Sequence, residues 1–361
     1  MQFAEILTVP LYISVLKVFL LALIAFVLAM AWTPILTNFL YKHGVKAKIK
    51  QKSVDGEAAP IFYSLHKDKS GTPLMGGLLV WVTTLFLALL FKLLHTLFGG
   101  FFEVLDFLRR SQTWLPIFAL VATGILGVVD DYKTTKGTGS NKGGGVRFLY
   151  RFWWLALIAF VGGLWFHYKL GFESIHIPGI GDFEIGAWYI LFFVITILAT
   201  AISSNETDGL DGLNGGVLLP AFSAFGVIAF VQGRVDLAAF CAVIAGGLLA
   251  FLWFNVHPAR FFMGDTGAIS LGTALGVVAL LTKSAFILPI VCFIYVIESM
   301  SVIIQLTSKK LRGKKVFLSA PFHHHLQALG WPETKVTMRF WILSGVFGVV
   351  GLIIGIFGMG K

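Results

Sequence analysis

The sequence predicts an all-α polytopic membrane protein with ten transmembrane helices, formed by a single domain over residues 1–361. Two observations predict this class. Of the 361 residues, 57% are hydrophobic and only 13% are charged, which is about half the charged fraction of an ordinary soluble domain. The mean hydropathy of +0.86 argues against a soluble globule. In addition, apolar runs of about 20 residues, the length that crosses a bilayer, recur along the whole chain.

Ten apolar runs are candidate spans. The first is too long for the hydrophobic part of a cleavable signal and has no small-residue cleavage site behind it, so we expect it to remain as a signal anchor. Glycine and proline inside the runs are tolerated in membranes. In chain order the predicted spans are 14–38, 75–97, 114–130, 150–167, 186–203, 213–231, 236–256, 266–282, 284–306 and 340–359.

The basic residues between these runs predict the orientation of the helices. With ten spans, the loops after the odd-numbered spans, together with Arg151 at the start of span 4, contain 20 of the 28 lysines and arginines. Since positively charged loops remain in the cytoplasm, both termini are predicted to be periplasmic. The periplasmic loop Phe172–Gly186, between helices 4 and 5, alternates apolar and polar residues around Gly179–Asp182, which predicts a small β-hairpin.

Five aspartates fall at the cytoplasmic ends of the predicted spans. Asp130 and Asp131 close span 3, Asp208 and Asp211 lie in the glycine-rich stretch between spans 5 and 6, and Asp265 lies at the start of span 8. Any one of them alone is as well explained as a helix cap or an interfacial charge. Carboxylates beside a bilayer are costly to keep charged, however, so five on one face favour a shared site.

A cation would stabilise this acidic face. Asp130 and Asp131 are expected at the C-terminal end of a helix, where a negative charge is unfavourable by ~0.3–1 kcal/mol. A local cation reverses that sign, and hard oxygen ligands near phosphate chemistry suggest Mg²⁺.

Basic groups accompany the acids on the same predicted face. The last cytoplasmic loop contains His323, His324 and His325, and three consecutive imidazoles can bind a metal, hold phosphate or move protons. Acids, Mg²⁺ and cations at a bilayer edge predict phosphoryl transfer to a lipid phosphate. The loop after span 3 contains three lysines suited to holding a diphosphate, with anchoring to the membrane surface as the alternative for each: Lys133, Lys136 and Lys142.

Six sequence motifs follow one another over nearly the whole chain. They are GTPLMGG at 71–77, VVDDY at 128–132, NETDGLDGL at 205–213, FFMGDTGAISLG at 261–272, SKKLRGKKVF at 308–317 and APFHHH at 320–325. In this order they resemble the phospho-N-acetylmuramoyl-pentapeptide transferase family. The acidic motifs are shared with the wider polyprenyl-phosphate N-acetylhexosamine-1-phosphate transferase superfamily, whereas the histidine triplet points to the peptidoglycan branch.

The resemblance implies a specific reaction. Phospho-MurNAc-pentapeptide passes from UDP-MurNAc-pentapeptide to undecaprenyl phosphate, giving lipid I and UMP in the first membrane step of peptidoglycan synthesis. The resemblance also implies a Mg²⁺-dependent homodimer in the bacterial inner membrane, with the active site at the cytoplasmic face. No nucleic-acid partner is expected.

The resemblance also assigns site residues. It implies that Asp265 is a metal ligand and that Asp130, Asp131 and Asp265 act in catalysis, together with His323 and His324. The family commonly has a lysine where this chain has Thr134, so we expect Lys133 or Lys136 to replace it. Matched to substrate binding are Asn205, Asp208, Gly209, Asp211, Asn255, Phe262, Gln305 and His325, together with Lys133 and Lys142.

Several alternatives remain open from the sequence. Transfer is either direct or passes through an aspartyl intermediate, and either Asp130 or Asp131 acts as the base. A sister transferase using UDP-GlcNAc is disfavoured by the histidine triplet. A lipid transporter is disfavoured because transporters place charges near the bilayer midplane, often with internal repeats. Lys69 either touches the nucleotide or anchors its loop. Glu298 in span 9 either lines the site or bonds a neighbouring helix, and we expect the second.

Overall fold

The computed structural model describes residues 10–47, 63–64, 66–109, 111–138 and 146–358. Its long helices are numbered here in chain order. They are α1 (Leu11–Lys42), α2 (Leu78–Phe98), α3 (Ser111–Lys136), α4 (Phe148–Leu164), α5 (Trp188–Thr207), α6 (Leu213–Val231), α7 (Val235–Asn255), α8 (Gly264–Leu281), α9 (Phe293–Arg312) and α10 (Glu333–Gly358).

Shorter elements lie between the long helices. A π-helical turn, Trp165–Lys169, extends α4, and two strands, β1 (Ser174–Ile177) and β2 (Gly181–Glu184), precede α5. The remaining short helices are Lys67–Lys69, Phe101–Leu105, Ala285–Ile287, Leu288–Val291 and Phe322–Ala328.

Nine helices of the described part of the chain are long and apolar enough to cross a membrane. The remaining predicted span, span 9 (284–306), is not one straight helix as expected. It is broken at Cys292, and the segment Ala285–Val291 meets α9 at an angle of 83°. The break lets the short helix Leu288–Val291 pack on α10 while α9 runs along α5. The predicted count of ten spans therefore includes one bent pair.

Helix α8 is the centre of the bundle. In its spanning window 94% of the residues are buried, compared with 22% in α1. Small residues let its neighbours approach closely, as is usual where lipid removes the hydrophobic drive between helices. A Cβ added to Gly127 of α3 would lie 2.4 Å from the backbone of Thr266, and one added to Gly272 would lie 2.7 Å from Ser204 of α5.

The predicted hairpin is confirmed. Strands β1 and β2 pair antiparallel, with Ser174 opposite Glu184 and Ile177 opposite Gly181. The hairpin also holds the end of α10, because His176 lies 2.7 Å through Nδ1 from Asp182 Oδ1 and 3.0 Å through Nε2 from the carbonyl oxygen of Gly358.

A largely buried ion pair joins α1 to α7. It lies at the ends of the helices that are remote from the five aspartates singled out in the sequence. Lys17 Nζ lies 2.6 Å from Asp236 Oδ1 and donates to the carbonyl oxygen of Asp106 at 2.9 Å. The side chains of Lys17 and Asp236 are 7% and 14% exposed. The pair therefore ties two helices and the loop after Phe101–Leu105 together.

Candidate active site

The N-terminus of α8 gathers carboxylates from two distant segments. Asp131 of α3 accepts the backbone N–H groups of Asp265 and Thr266, at 3.1 Å and 3.0 Å. Asp208 accepts the N–H of Gly264 at 3.1 Å. The first N–H groups of a helix lack partners within it, and its dipole favours anions there. The prediction that Asp131, Asp208 and Asp265 meet at one face is confirmed.

The paired aspartates do not close their helix as expected. Helix α3 continues to Lys136, so Asp130 and Asp131 lie in its last two turns. Both carboxylates find positive partners outside α3, which removes the expected penalty of an anion at a helix C-terminus. For Asp131 the partner is the start of α8, and for Asp130 it is a side chain that the sequence did not single out.

That side chain is Arg151, in the first turn of α4. Its Nη1 donates to Asp130 Oδ2 at 3.1 Å and to Asp265 Oδ2. The other oxygens of these carboxylates are also bonded, since Asn205 Nδ2 lies 2.6 Å from Asp265 Oδ1 and the N–H of Val146 lies 2.6 Å from Asp130 Oδ1. Arg151 therefore contacts two carboxylates at once.

The lysines predicted from the sequence do not lie beside Asp130 and Asp265 as Arg151 does. Lys133 is exposed on α3, and the ammonium of Lys136 lies 5.8 Å from the centre of the Tyr132 ring. No hydrogen bond or ion pair joins either lysine to the acids in the described part of the chain. Lys142 lies outside the described residues. One feature of the sequence could have pointed to Arg151. It lies at the predicted start of span 4, on the same face as the aspartates.

The donor set around Arg151 fits a divalent metal. Asp130 Oδ2 and Asp265 Oδ2 converge on one nitrogen atom, so both carboxylates face a single positively charged position. Asn205 adds an amide group beside them. Hard oxygen ligands of this kind are the ones that Mg²⁺ prefers.

Asp211 belongs to a second polar cluster. Its Oδ1 lies 2.7 Å from Lys69 Nζ, and its Oδ2 lies 2.8 Å from His257 Nδ1 and 3.1 Å from the N–H of Ala259. Glu333, the first residue of α10, accepts from Lys69 and from the N–H of Asp211, the latter at 2.7 Å. Glu333 carried no sequence signal, because no motif contains it.

The pKa values of the two loop aspartates, Asp208 and Asp211, are shifted in opposite directions. Burial, reinforced by the Asp265 carboxylate, raises the pKa of Asp208 well above its usual range. Burial also acts to raise the pKa of Asp211, but Lys69, with the hydrogen bonds from Ala259 and His257, outweighs it and leaves that pKa below its ordinary value. Asp211 is therefore the loop aspartate that keeps its charge.

The same cluster resembles a metal site in composition. The ligand atoms of Asp211, His257 and Glu333 lie within 4.8 Å of one another. Lys69 already contacts both carboxylates, so an ammonium group supplies positive charge at the place where a metal ion would bind. We assign no metal to this cluster.

Asn255 and Phe262 lie on the other side of this turn. Asn255 accepts the N–H of Gly212 at 2.9 Å and donates to the carbonyl oxygen of Phe261 at 2.7 Å, so it joins two loops. The ring of Phe262 lies 5.8 Å from Lys69 Nζ. The structure thus brings Phe262, Lys69 and Asp211 close to one another.

The three histidines face different partners. His323 is fully buried and lies 2.9 Å through Nδ1 from Glu298 Oε2. His324 Nδ1 and His66 Nε2 both lie close to the Gln327 amide oxygen, at 2.9 Å and 3.0 Å. Burial lowers the pKa of His324 well below its ordinary value and also lowers that of His66.

His325 and Gln305 organise the loop after α9. His325 Nδ1 accepts the N–H of Leu318 at 3.2 Å. Gln305 accepts from the N–H groups of Val316 and Phe317 and donates to the Phe317 carbonyl oxygen at 2.9 Å. In this structure both side chains therefore hold the backbone that leads to the histidine triplet.

Comparison with known proteins gives concordant results. The family model described as Glycosyl transferase family 4 matches residues 113–283, which include all five aspartates. A phospho-N-acetylmuramoyl-pentapeptide-transferase of Shouchella clausii is 35% identical over 342 residues, covering 92% of this chain and 96% of its own length. The proteins of that name from Chloroflexus aggregans and a Geobacillus species are 36% and 37% identical, covering 93% and 80% of this chain and 89% and 85% of their own lengths.

Proposed function

Because this chain belongs to the phospho-N-acetylmuramoyl-pentapeptide transferase family, we propose that it makes lipid I. Phospho-MurNAc-pentapeptide is transferred from UDP-MurNAc-pentapeptide to undecaprenyl phosphate, and UMP is released. The observation that carries this proposal is the convergence of Asp130, Asp131, Asp208 and Asp265 at the N-terminus of α8, with Arg151 between two of them.

The reaction is a direct displacement in this proposal. A phosphate oxygen of the lipid forms a bond to the β-phosphorus of the donor, and the bond from that phosphorus to the bridging oxygen of UMP breaks. Asp130 is the better candidate to orient or deprotonate the lipid phosphate. Its partner Arg151 is a side chain with 22% exposure, whereas both oxygens of Asp131 are occupied by the backbone of α8.

The remaining groups bind charge in this scheme. Asp265, with Asp130 and Asn205 beside it, would hold Mg²⁺, which neutralises the diphosphate when bound. Arg151 contributes a fixed positive charge at the same place. We assign the nucleoside to the cluster of Phe262, Lys69 and Asp211, since an aromatic face and polar groups beside it suit a nucleobase.

We also propose a bacterial inner-membrane location, a cytoplasmic active site and a homodimer. Impermeant maleimide added to intact cells tests the orientation. Ile180→Cys in the hairpin turn is expected to react and Lys314→Cys after α9 is not; both positions are exposed. The reverse labelling pattern would place the active site on the outer side.

Release of UMP tests the activity. Purified enzyme is incubated with UDP-MurNAc-pentapeptide, with and without undecaprenyl phosphate and Mg²⁺. We expect UMP only when all three are present, and a loss of roughly 100-fold or more in kcat for Asp265→Asn. Release from UDP-GlcNAc instead would favour the sister transferase, and full activity of Asp265→Asn would contradict the proposed site.

A further inference from the structure

A second acidic side chain lies inside the bundle and belongs to no predicted site. Glu298 on α9 is 0% exposed. A carboxylate within a membrane-spanning helix is expensive unless it is paired. Both of its oxygens face His323, Oε2 at 2.9 Å from Nδ1 and Oε1 at 3.2 Å from the backbone N–H. Glu298 therefore caps the short helix Phe322–Ala328 and also fixes the orientation of the His323 ring.

This pairing determines which ring nitrogen is available. A carboxylate only accepts hydrogen bonds, so Nδ1 of His323 carries the hydrogen that faces Glu298. Nε2 is then the nitrogen left for other chemistry. It is buried and has no hydrogen-bond partner among the described residues.

The free nitrogen lies against the nucleotide-sugar motif at 205–213. A Cβ added to Gly209 would lie 2.2 Å from Nε2 of His323, so only glycine permits this approach. Gly209 directly follows Asp208, whose carboxylate binds the N-terminus of α8. Nε2 is therefore aimed at the segment that connects the two polar clusters of the site.

From this geometry we infer that Glu298 is a positioning residue: it holds His323 so that Nε2 is directed at Gly209, where it binds a phosphate oxygen of the nucleoside diphosphate donor. The inference rests on the proposed function. Nε2 takes up a proton from solvent and donates it in a hydrogen bond, while the Glu298 carboxylate balances the charge of the imidazolium. Because Gly209 covers Nε2 here, donor binding requires the turn 208–212 to move away from His323.

A double-mutant cycle tests the inference. Glu298→Gln and His323→Asn are each expected to lower kcat/KM for UMP release by about 10-fold to 100-fold, and the double variant is expected to match His323→Asn within about threefold. A purely structural Glu298 would instead give losses that multiply. The control is Glu103→Gln, an exposed acid that pairs with Arg109 beside the short helix Phe101–Leu105, and it is expected to keep the activity.

The pH profile gives a second readout. Without the carboxylate the imidazolium is less stable, so Glu298→Gln is expected to move the basic limb of the profile down by about 1 pH unit, while Glu298→Asp keeps it near its original position. If Glu298→Gln does not fold, Glu298→Asp alone decides: a basic limb displaced from that of the unaltered enzyme would contradict the inference. Failure of the unaltered enzyme to release UMP would remove the proposed function and the inference with it. UMP release with a Glu298→Gln profile equal to the unaltered one removes the inference alone.

Discussion

At the scale of single residues, two neighbouring aspartates have different partners. Asp131 gives both oxygens to the backbone at the start of α8, whereas Asp130 shares Arg151 with Asp265. A backbone partner cannot be exchanged for a ligand without moving a helix, but a guanidinium can turn away or bind a phosphate itself. Asp131 thus holds Asp265 in place, and Asp130 is the aspartate that faces exchangeable charge.

The first prediction concerns Arg151. Arg151→Met leaves Asp130 and Asp265 close together without a cation, so we expect kcat/KM for UMP release to fall by roughly 100-fold or more. Arg151→Lys is expected to stay within about tenfold, because one nitrogen of the guanidinium makes both contacts and an ammonium can occupy the same position. Lys169→Met, at the far end of the same helix, is the control. Equal losses for Arg151→Met and Arg151→Lys would show that the shape of the side chain, rather than its charge, matters here.

The second prediction concerns pH. His66 and His324 have lowered pKa values because they are buried, so both are neutral in the folded protein at pH 7. The unfolded chain binds protons near pH 6.5. The two histidines therefore do not reduce the free energy of unfolding above that pH. Below it the free energy of unfolding declines, by at most roughly 1.4 kcal/mol per pH unit for each histidine.

Thermal unfolding in detergent at pH 7.5, 6.5 and 5.5 measures this effect. The apparent Tm of the unaltered protein is expected to fall with pH, and His324→Gln is expected to reduce the slope. His43→Gln, an exposed histidine after α1, is expected to leave the slope unchanged. A Tm independent of pH would mean that the two buried imidazoles do not control acid stability.

The sequence could predict the aspartates but not most of their partners. Acids at the ends of apolar runs are visible in one dimension, because topology alone brings those ends to one face. Arg151 and Glu333 lie at the start of helices and look like ordinary interfacial charges. Their roles depend on the rotation of α4 and α10 about their axes, which packing sets and hydropathy does not record.

At the scale of elements, the contact between α3 and α8 sets the distance between Asp131 and the free N–H groups. Gly127 lies one turn before Asp131 and lets the two backbones touch. Gly264 has a φ of 73°, and a Cβ there would lie 2.6 Å from Asp131 Oδ2. Two glycines therefore allow the carboxylate to reach α8.

The third prediction concerns this contact. Gly127→Ala puts a methyl group 2.4 Å from the backbone of Thr266, so α3 and α8 must separate. We expect a loss of roughly 1–3 kcal/mol in stability, together with reduced UMP release because Asp131 no longer reaches the N–H groups of α8. Gly345→Ala is the matched control, since its methyl group would have no neighbour within 4 Å. If both variants behave alike, close approach at Gly127 is not needed.

Hydropathy predicted the elements well where they lie in lipid and less well elsewhere. The break at Cys292 was missed because residues 285–297 are apolar on both sides of it, and a bend leaves no trace in composition. The extension of α3 to Lys136 was missed because its last turns are polar and leave the membrane. The hairpin was predicted because alternation and turn residues are local signals.

At the scale of the whole molecule, polar groups are divided between two ends. The active-site end collects aspartates, Arg151 and histidines. The remote end contains the hairpin and the buried pair of Lys17 and Asp236. Helices α1, α4, α5, α7 and α10 connect the two ends, so the remote end is expected to affect stability without contributing to catalysis.

The last prediction tests that division. Lys17→Met leaves the largely buried Asp236 without its cation, and breaking a buried pair from one side costs about 3–5 kcal/mol. Adding Asp236→Asn removes the uncompensated charge, so the double variant is expected to recover part of the lost Tm. Arg109→Met is the control, because Arg109 and its partner Glu103 have side chains that are 44% and 47% exposed, and such pairs contribute at most about 1 kcal/mol. Throughout the series, kcat measured well below each Tm is expected to stay within about twofold of the unaltered enzyme. A large loss of kcat in Lys17→Met, without a matching loss of folded protein, would show that the two ends are coupled through the helices that join them.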